Sequence, residues 1–295
     1  MHLSALAVHP VKSLRGTAPQ AAHLGPTGLQ HDRRWMVVDE EGSAVSARDL
    51  PAMLSVTATA LGSGGVRLTA SGRTPLVVEP PGDGPRVEVA MSRVGGARGA
   101  GAAADAWLSA VLGRPVHLVW LDDPTRRSVS AKHGGRPGDV LSLADTGPLL
   151  LTTVASLRRL DRWVAEAYAE RYAACGASAG TRPTPLSMER FRPNLVVDGD
   201  LEPFVEDAWA TVRVGGVELR VSELCDRCAV VTIDPETGRF GQEPLRSLAR
   251  HRRWDGRTWF GIRLVPQGVG TVRVGDPVEV LTRSTDAGPV AGPAR

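Results

Sequence analysis

Short apolar runs broken by glycine, proline and aspartate dominate the first hundred residues. Trp35 to Val38, Leu54 to Leu61, Val66 to Thr69 and Val87 to Val89 have the length and composition of strands. The opening segment, MHLSALAVHPVKS, also reads as a strand. Residues 92–101 form a small-residue loop, followed by a helix from Ala103 to Leu112 that Gly113 and Pro115 stop, and by a strand from Val116 to Leu121. The second half begins with a polar loop from Arg126 to Asp139. Val154, Leu157, Leu160, Val164 and Tyr168 then recur at three- and four-residue steps, which predicts the longest helix over 154–172, with Thr153 as its N-cap. Residues 173–187 are rich in small and turn-forming residues and read as a loop. Thr211 to Val214 and Val217 to Val221 alternate around Gly215-Gly216, a hairpin pattern. Two more strands fall between Gly270 and Leu281, and 284–295 is expected to be a disordered tail. Many short strands and few helices favour β-barrel or mixed β-rich domains over a doubly wound sheet.

Composition narrows the class. A chain of 295 residues has room for about two domains, and 42% hydrophobic residues supply a sizeable core. A formal charge of +3 is too small to argue for nucleic acid or a membrane surface. Only two of the 35 basic residues are lysines, Lys12 and Lys132, so each lysine stands out against an arginine background. The three cysteines, Cys175, Cys225 and Cys228, cannot build a disulfide framework in a chain of this size. An odd count with one close pair points to a reducing compartment and to redox or metal chemistry. The absence of a basic leader and of a long apolar run leads to the expectation of a cytoplasmic protein with no membrane span. P-loop, dinucleotide-binding and Ser-His-Asp motifs are absent, and the histidines lack metal-ligand spacing.

Cys225-Asp226-Arg227-Cys228 is the sharpest local feature. It lies between the strand ending at Val221 and an expected strand from Ala229 to Ile233, on a strand–loop–strand corner. The pair alone admits four readings. A structural zinc site needs four ligands, and no second pair exists. A thioredoxin-like dithiol belongs at a helix N-terminus, whereas a strand is expected here. Two small buried residues are the bland reading. A single thiolate binding a soft metal is the fourth, with Arg227 favouring the ionised form.

Two further clusters carry cations and donors. In Phe191-Arg192-Pro193-Asn194, proline restrains the backbone, arginine offers a fork for phosphate or carboxylate, and asparagine offers paired donor and acceptor atoms for a heterocycle edge. In His9-Pro10-Val11-Lys12-Ser13, followed by Asp32-Arg33-Arg34-Trp35, Lys12 and Ser13 end a strand as a point charge and a hydroxyl donor. Alone, the first reads better as a strand-entry turn with solvated charge; the second reads as an exposed lysine at a strand end, which the scarcity of lysine tilts towards function. Together they match an anionic, sulfur-bearing metal cofactor.

The order of HPVKSLRG, DRRWMVVDEEG, ADTGPLLLTTVASLRRL, FRPNLVVDGD, CDRCAVVTIDPETG and VRVGDPVEV resembles the MOSC (molybdenum cofactor sulfurase C-terminal) family, over about residues 2–282. Within that family the pattern is similar to the amidoxime-reducing components and their bacterial counterparts. The resemblance implies a β-rich α+β fold of two packed lobes, a MOSC-type N-terminal β-barrel domain (1–122) and a MOSC β-barrel domain with a few helices (123–283). It implies the molybdenum cofactor, a molybdopterin, with Cys228 as metal ligand and catalytic thiolate, and with contacts from Lys12, Ser13, Arg33, Thr146, Arg192, Asn194 and Arg227. Pyridoxal phosphate is not expected. The implied reaction reduces an N-hydroxylated small molecule, N–OH to N–H, or a related N- or S-oxide. An external donor of reductase, ferredoxin or cytochrome type would supply the electrons. A cofactor or persulfide carrier without catalysis is the alternative. Three positions depart from the animal pattern: Asp226 stands for Ser or Pro, Arg263 for a tyrosine, and Gly147 for a serine. Some bacterial relatives carry a C-terminal ferredoxin domain, for which this chain lacks the cysteines.

Overall fold

The computed structural model describes residues 1–91, 93–174 and 184–284. The protein is β-rich, with three α-helices among these residues: α1 (Ala102–Leu112), α2 (Val154–Ala174) and α3 (Leu245–His251). The main path of the largest sheet runs His2–Leu6, Leu195–Asp198, Leu149–Thr153, Arg257–Pro266, Val217–Asp226, Trp209–Val214 and Val278–Arg283. Neighbours along it are antiparallel except Leu149–Thr153 and Leu195–Asp198, which run parallel. Its two ends meet. The Leu3 amide donates to the Asp276 carbonyl (2.9 Å), Gly275 to Leu3 (2.8 Å) and Val278 to Met1 (3.1 Å), so the curled sheet is closed at this point, where residues 1–3 meet 275–278. Inward-facing Leu3, Leu6, Leu151, Leu195, Val212, Leu219, Ile262 and Leu264 fill the interior with Trp209.

The first lobe holds an antiparallel sheet of Trp35–Val38, His117–Trp120, Ala97–Gly99 and Arg86–Val87, and a three-stranded sheet of Thr57–Ala60, Val66–Thr69 and Leu76–Val78. Alternation is plain in Val66–Thr69, where Val66 and Leu68 are buried and Arg67 is exposed. Ala104, Leu108 and Leu112 recur every four residues on α1 and pack on Trp35, Val37 and Val56. Gly113, left-handed at φ 73°, ends that helix. Residues 2–29 divide between the cores: Leu3, Leu6, Val8, Leu24 and Leu29 belong to the barrel core and Ala21–Gly25 pairs with Gly270–Arg273, while Val11 and Leu14 pack in the first lobe.

Helix α2 starts where its cap is expected, with the Thr153 hydroxyl accepting from the Ser156 amide at 3.1 Å. Its Leu160, Trp163 and Val164 meet Phe191, Phe204, Phe260 and Leu248 in a core outside the barrel. The Gly215-Gly216 hairpin forms with Val214 opposite Val217. Two expected strands differ. Leu54 to Leu61 divides into a 3-10 turn, Pro51–Ser55, and the strand Thr57–Ala60; Pro51 cannot donate to a ladder, and Met53 and Leu54 reach the core from the turn. Ala229–Thr232 is a 3-10 turn, not a strand. Its β-branched run suits a strand, but Val231 packs in the core under α2 while Ile233 packs in the first lobe, which a pleated segment could not do. Ala97–Gly99 is a strand within the expected 92–101 loop. The greater part of the 173–187 loop, with Cys175, and residues 285–295 of the tail lie outside the described residues. No helix among the described residues is long and apolar enough to cross a membrane.

Candidate functional site

A cavity of about 190 Å³ opens between the lobes. Lys12, Ser13, Arg33, Thr146, Arg192, Asn194, Arg227 and Cys228 all line it, as do Arg48, Asp145, Arg190, Cys225, Asp226 and Arg263. The fold brings these distant residues together through two junctions. On one side Val11 bridges to Trp35, and the Lys12 amide donates to the Trp35 carbonyl (2.8 Å), which sets Lys12 and Ser13 beside Arg33. On the other, the site lies where the parallel strands Leu149–Thr153 and Leu195–Asp198 begin, so the loops entering both strands face it.

Strained backbone marks the same place. Ser13 (φ 67°), Arg33 (φ 50°) and Arg192 (φ 53°) are all left-handed without being glycine. Such conformations cost free energy and cluster where side chains must be aimed. Arg192 leaves the 3-10 turn Met188–Phe191 and donates to the Leu14 carbonyl at 2.7 Å. Its burial, with Arg33 nearby, brings its guanidinium down to about 9, so it stays charged at neutral pH. Arg33 reaches Asp32, the Asn194 side-chain oxygen and the Arg192 carbonyl. Asn194 lines the cavity and is also tied to its surroundings. Its oxygen accepts from the Leu150 amide (3.1 Å) and from Arg33 (3.2 Å), and its amide donates to Ala7 (3.2 Å), so it ties the two strand entrances together.

Lys12 donates to the Leu143 carbonyl (3.2 Å) and pairs with Asp145. Burial lowers the Lys12 ammonium against the opposing pull of Asp145. Burial pushes the Asp145 carboxyl up, but Lys12, Arg33 and Arg263 outweigh it and bring the group down to about 2. The floor carrying Asp145 and Thr146 rests on buried Arg127, which donates to the carbonyls of Ser142 (2.6 Å), Ala144 and Asp145 (3.1 Å).

The two cysteines differ sharply. Cys225 is the next-to-last residue of Val217–Asp226 and is buried; Cys228 begins the 3-10 turn and is exposed. The Arg227 guanidinium donates to the Cys225 sulfur (2.9 Å) and to the Phe191 carbonyl (2.7 Å). The arginine on the Cys228 sulfur is Arg48 of the first lobe, at 3.5 Å. Arg263 bridges Glu223 and Asp226, so the carboxylate of Asp226 is compensated. Gly147 belongs to the same change: a Cβ there would lie 3.2 Å from the Arg263 side chain, a tight approach that glycine relieves. Arg48, Asp145, Arg190 and Arg127 were not singled out by sequence, because ordinary turns and arginine-rich surroundings give them no distinguishing spacing.

Seven cationic side chains and two carboxylates line the cavity. Thr146 Oγ1, Arg192 Nη2, Arg227 Nε and Arg190 Nε are buried there without a hydrogen-bond partner. Buried polar atoms normally have partners, so four orphans around one cationic cavity fit an oxyanion-bearing group, and the exposed thiol adds a soft ligand. The donor set therefore suits a phosphorylated pterin whose metal takes one thiolate. Among the described residues no group of three or more His, Cys, Asp and Glu side chains is placed to hold a metal by itself.

Comparison with known proteins gives the family. The MOSC N-terminal β-barrel domain matches residues 1–115, and the MOSC domain matches residues 138–279. Mitochondrial amidoxime-reducing component 1 of Homo sapiens is 30% identical over 295 residues, covering 93% of this chain and 81% of that protein. Its Mus musculus counterpart is 31% identical, covering 93% and 80%. Molybdenum cofactor sulfurase of Danio rerio is 33% identical over 90% of this chain, which spans about a third (32%) of that longer protein. The chain belongs to the MOSC family, with a MOSC N-terminal β-barrel domain followed by a MOSC domain.

Proposed function

We propose that this chain is a molybdenum-cofactor oxidoreductase of the cytoplasm that reduces N-hydroxylated small molecules. The observation that carries the reading is the meeting of an exposed thiol, Cys228, with orphaned buried donors in a cationic cavity between the lobes. Lys12, Ser13, Arg33, Thr146, Arg192 and Arg227 would hold the anionic and polar parts of the cofactor. Asn194 would keep the strand entrances in register around it, and the Cys228 thiolate would be the metal ligand. When bound, the cofactor supplies a two-electron redox centre whose chemistry is its own, while the protein orients it and sets its electrostatics. The net conversion takes N–OH, two electrons and two protons to N–H and water. A reductase, ferredoxin or cytochrome supplies the electrons. The relatives named as amidoxime-reducing components support this substrate class.

A carrier role is the second reading. An exposed Cys228 is open to taking a sulfane sulfur from a donor persulfide, the donor leaving as its thiol, and the similarity to a molybdenum cofactor sulfurase favours that role. Molybdenum and pterin are to be quantified on protein purified from its natural cytoplasm, followed by an assay of benzamidoxime reduction with a chemical donor. About one molybdenum per chain together with turnover supports the oxidoreductase. Loaded protein without turnover on any N-hydroxylated compound shifts the assignment to the carrier; protein that never acquires molybdenum or pterin sinks the oxidoreductase and leaves the sulfur carrier, which absence of any persulfide on Cys228 by mass spectrometry would sink in turn.

A further inference from the structure

Arg48 holds a position unlike that of any other cation in the cavity. Lys12 pairs with Asp145, Arg33 with Asp32, Arg190 with Asp234, and Arg263 with Glu223 and Asp226. Arg192 and Arg227 are anchored by one donor each on the carbonyls of Leu14 and Phe191, and both are half-buried in the site. Among the described residues Arg48 has neither a carboxylate nor a carbonyl partner; its hydrogen bond goes to the Cys228 sulfur. Its side chain is exposed, yet its backbone is fixed. The amides of Asp49 and Leu50 both donate to the Ser46 carbonyl (3.0 and 2.9 Å), the Ser46 hydroxyl donates to Asp49 (2.6 Å), and neighbouring Ala47 is buried in the first-lobe core. The nearby carboxylates, Asp49 and Asp145, already have partners.

A guanidinium has five N–H donors in a planar fork, and one of them is directed at the sulfur here. Arg48 lines a cavity whose charged side chains are mostly cationic. Such a fork recognises a carboxylate or another oxyanion through paired hydrogen bonds. We propose that Arg48 is the substrate-reading residue of this site, and that its substrates carry a carboxylate or similar oxyanion a short span from the reducible N–OH. The inference rests on the preceding assignment of Cys228 to the reacting centre, because only then does a cation beside that sulfur meet the substrate.

The test uses cofactor-loaded wild type, Arg48→Gln and Arg48→Lys, with benzamidoxime and its 3- and 4-carboxylate derivatives. Molybdenum content is measured first and is expected to be equal in all three proteins. Wild type should favour a carboxylate compound over the neutral one in kcat/KM by on the order of 10- to 100-fold. The ratio should approach one in Arg48→Gln, through KM, and be partly kept in Arg48→Lys. Calorimetric binding of 4-carboxybenzamidine, the amidine product, should weaken at least about ten-fold in Arg48→Gln. A preference unaltered by Arg48→Gln overturns the proposal. So does loss of molybdenum from that variant, which would make Arg48 a support of the thiolate. If wild type reduces none of the three compounds, the N–OH reading fails. The calorimetric comparison still decides Arg48, and equal affinities overturn it.

Discussion

At the scale of single residues, the C-x-x-C pair separates into two environments. Buried Cys225 accepts a hydrogen bond from Arg227, and exposed Cys228 meets Arg48 across the lobe boundary. Under the proposed function, Cys228→Ser replaces a soft donor with a harder, rarely ionised one, and activity should collapse even where pterin is retained. Cys225→Ala removes little volume and leaves one Arg227 donor unpaired, for a cost of about 1 kcal/mol and most of the activity kept. Loading both variants, measuring their molybdenum and assaying N–OH reduction distinguishes them; equal loss would indicate a dithiol mechanism. The motif was legible from its spacing, but the arginine that serves each sulfur was not. Arg227 adjoins Cys228 in sequence and turns its side chain to Cys225. Arg48 is 180 residues from the sulfur it touches, in a turn that carries no signature. Asn194 was conspicuous as a donor and acceptor pair, whereas its competing main-chain partners, Leu150 and Ala7, are set by strand pairing that local sequence does not encode.

Among elements, legibility followed periodicity. Helix α2 and the Gly215-Gly216 hairpin repeat their apolar residues with clear periods, and both form. Arg257–Pro266, at the centre of the barrel sheet, went unseen: most of its residues are buried on both faces, so no alternation shows, and Gly261 (φ 79°) interrupts it against the Leu151 carbonyl. The junction of the strand Leu149–Thr153, helix α2 and the 3-10 turn Val205–Ala208 is bound by Glu206. This carboxyl is fully buried and accepts from Ser156 (2.7 Å) and Thr153 (3.2 Å). Burial raises it from its ordinary 4.5 to about 7, against the pull of those hydroxyls. Because the folded value is the higher one, its stabilising contribution is complete below pH 4.5 and is lost as pH rises towards and through 7. The displacement corresponds to about 3 kcal/mol. Urea unfolding at pH 4.5 and pH 8 should therefore show wild type losing about 3 kcal/mol more than Glu206→Gln across that interval. Identical pH dependence in the two proteins would remove Glu206 as the cause.

On the scale of the whole molecule, β-rich domains were readable from strand and turn spacing, and the order of motifs, through its resemblance, implied the two packed lobes and the family. The route of the chain between lobes was not readable, because a strand does not announce its partner. His2–Leu6 pairs with Leu195–Asp198, and its other edge meets residues 275–278. A fragment of residues 123–284 should accordingly fail to fold alone: it lacks Leu3, Leu6, Val8, Leu24 and Leu29 from its core and exposes two sheet edges. Circular dichroism and amide exchange should report an unfolded or aggregated fragment, with rescue when residues 1–32 are supplied through a linker. A cooperative unfolding transition in the unassisted fragment would contradict the closure described above. The same pairing orders events at the ribosome. His2 leaves the exit tunnel nearly 200 residues before Asp198, which it faces in the barrel. At ordinary elongation rates that is about 10 to 40 s during which an apolar strand waits without its neighbour. Meanwhile the first-lobe sheets, whose partners all lie between residues 35 and 120, are free to assemble. Nascent chains arrested just short of residue 195 should thus combine a folded first lobe with a chaperone-accessible beginning, and barrel closure would be the step most exposed to a competing strand.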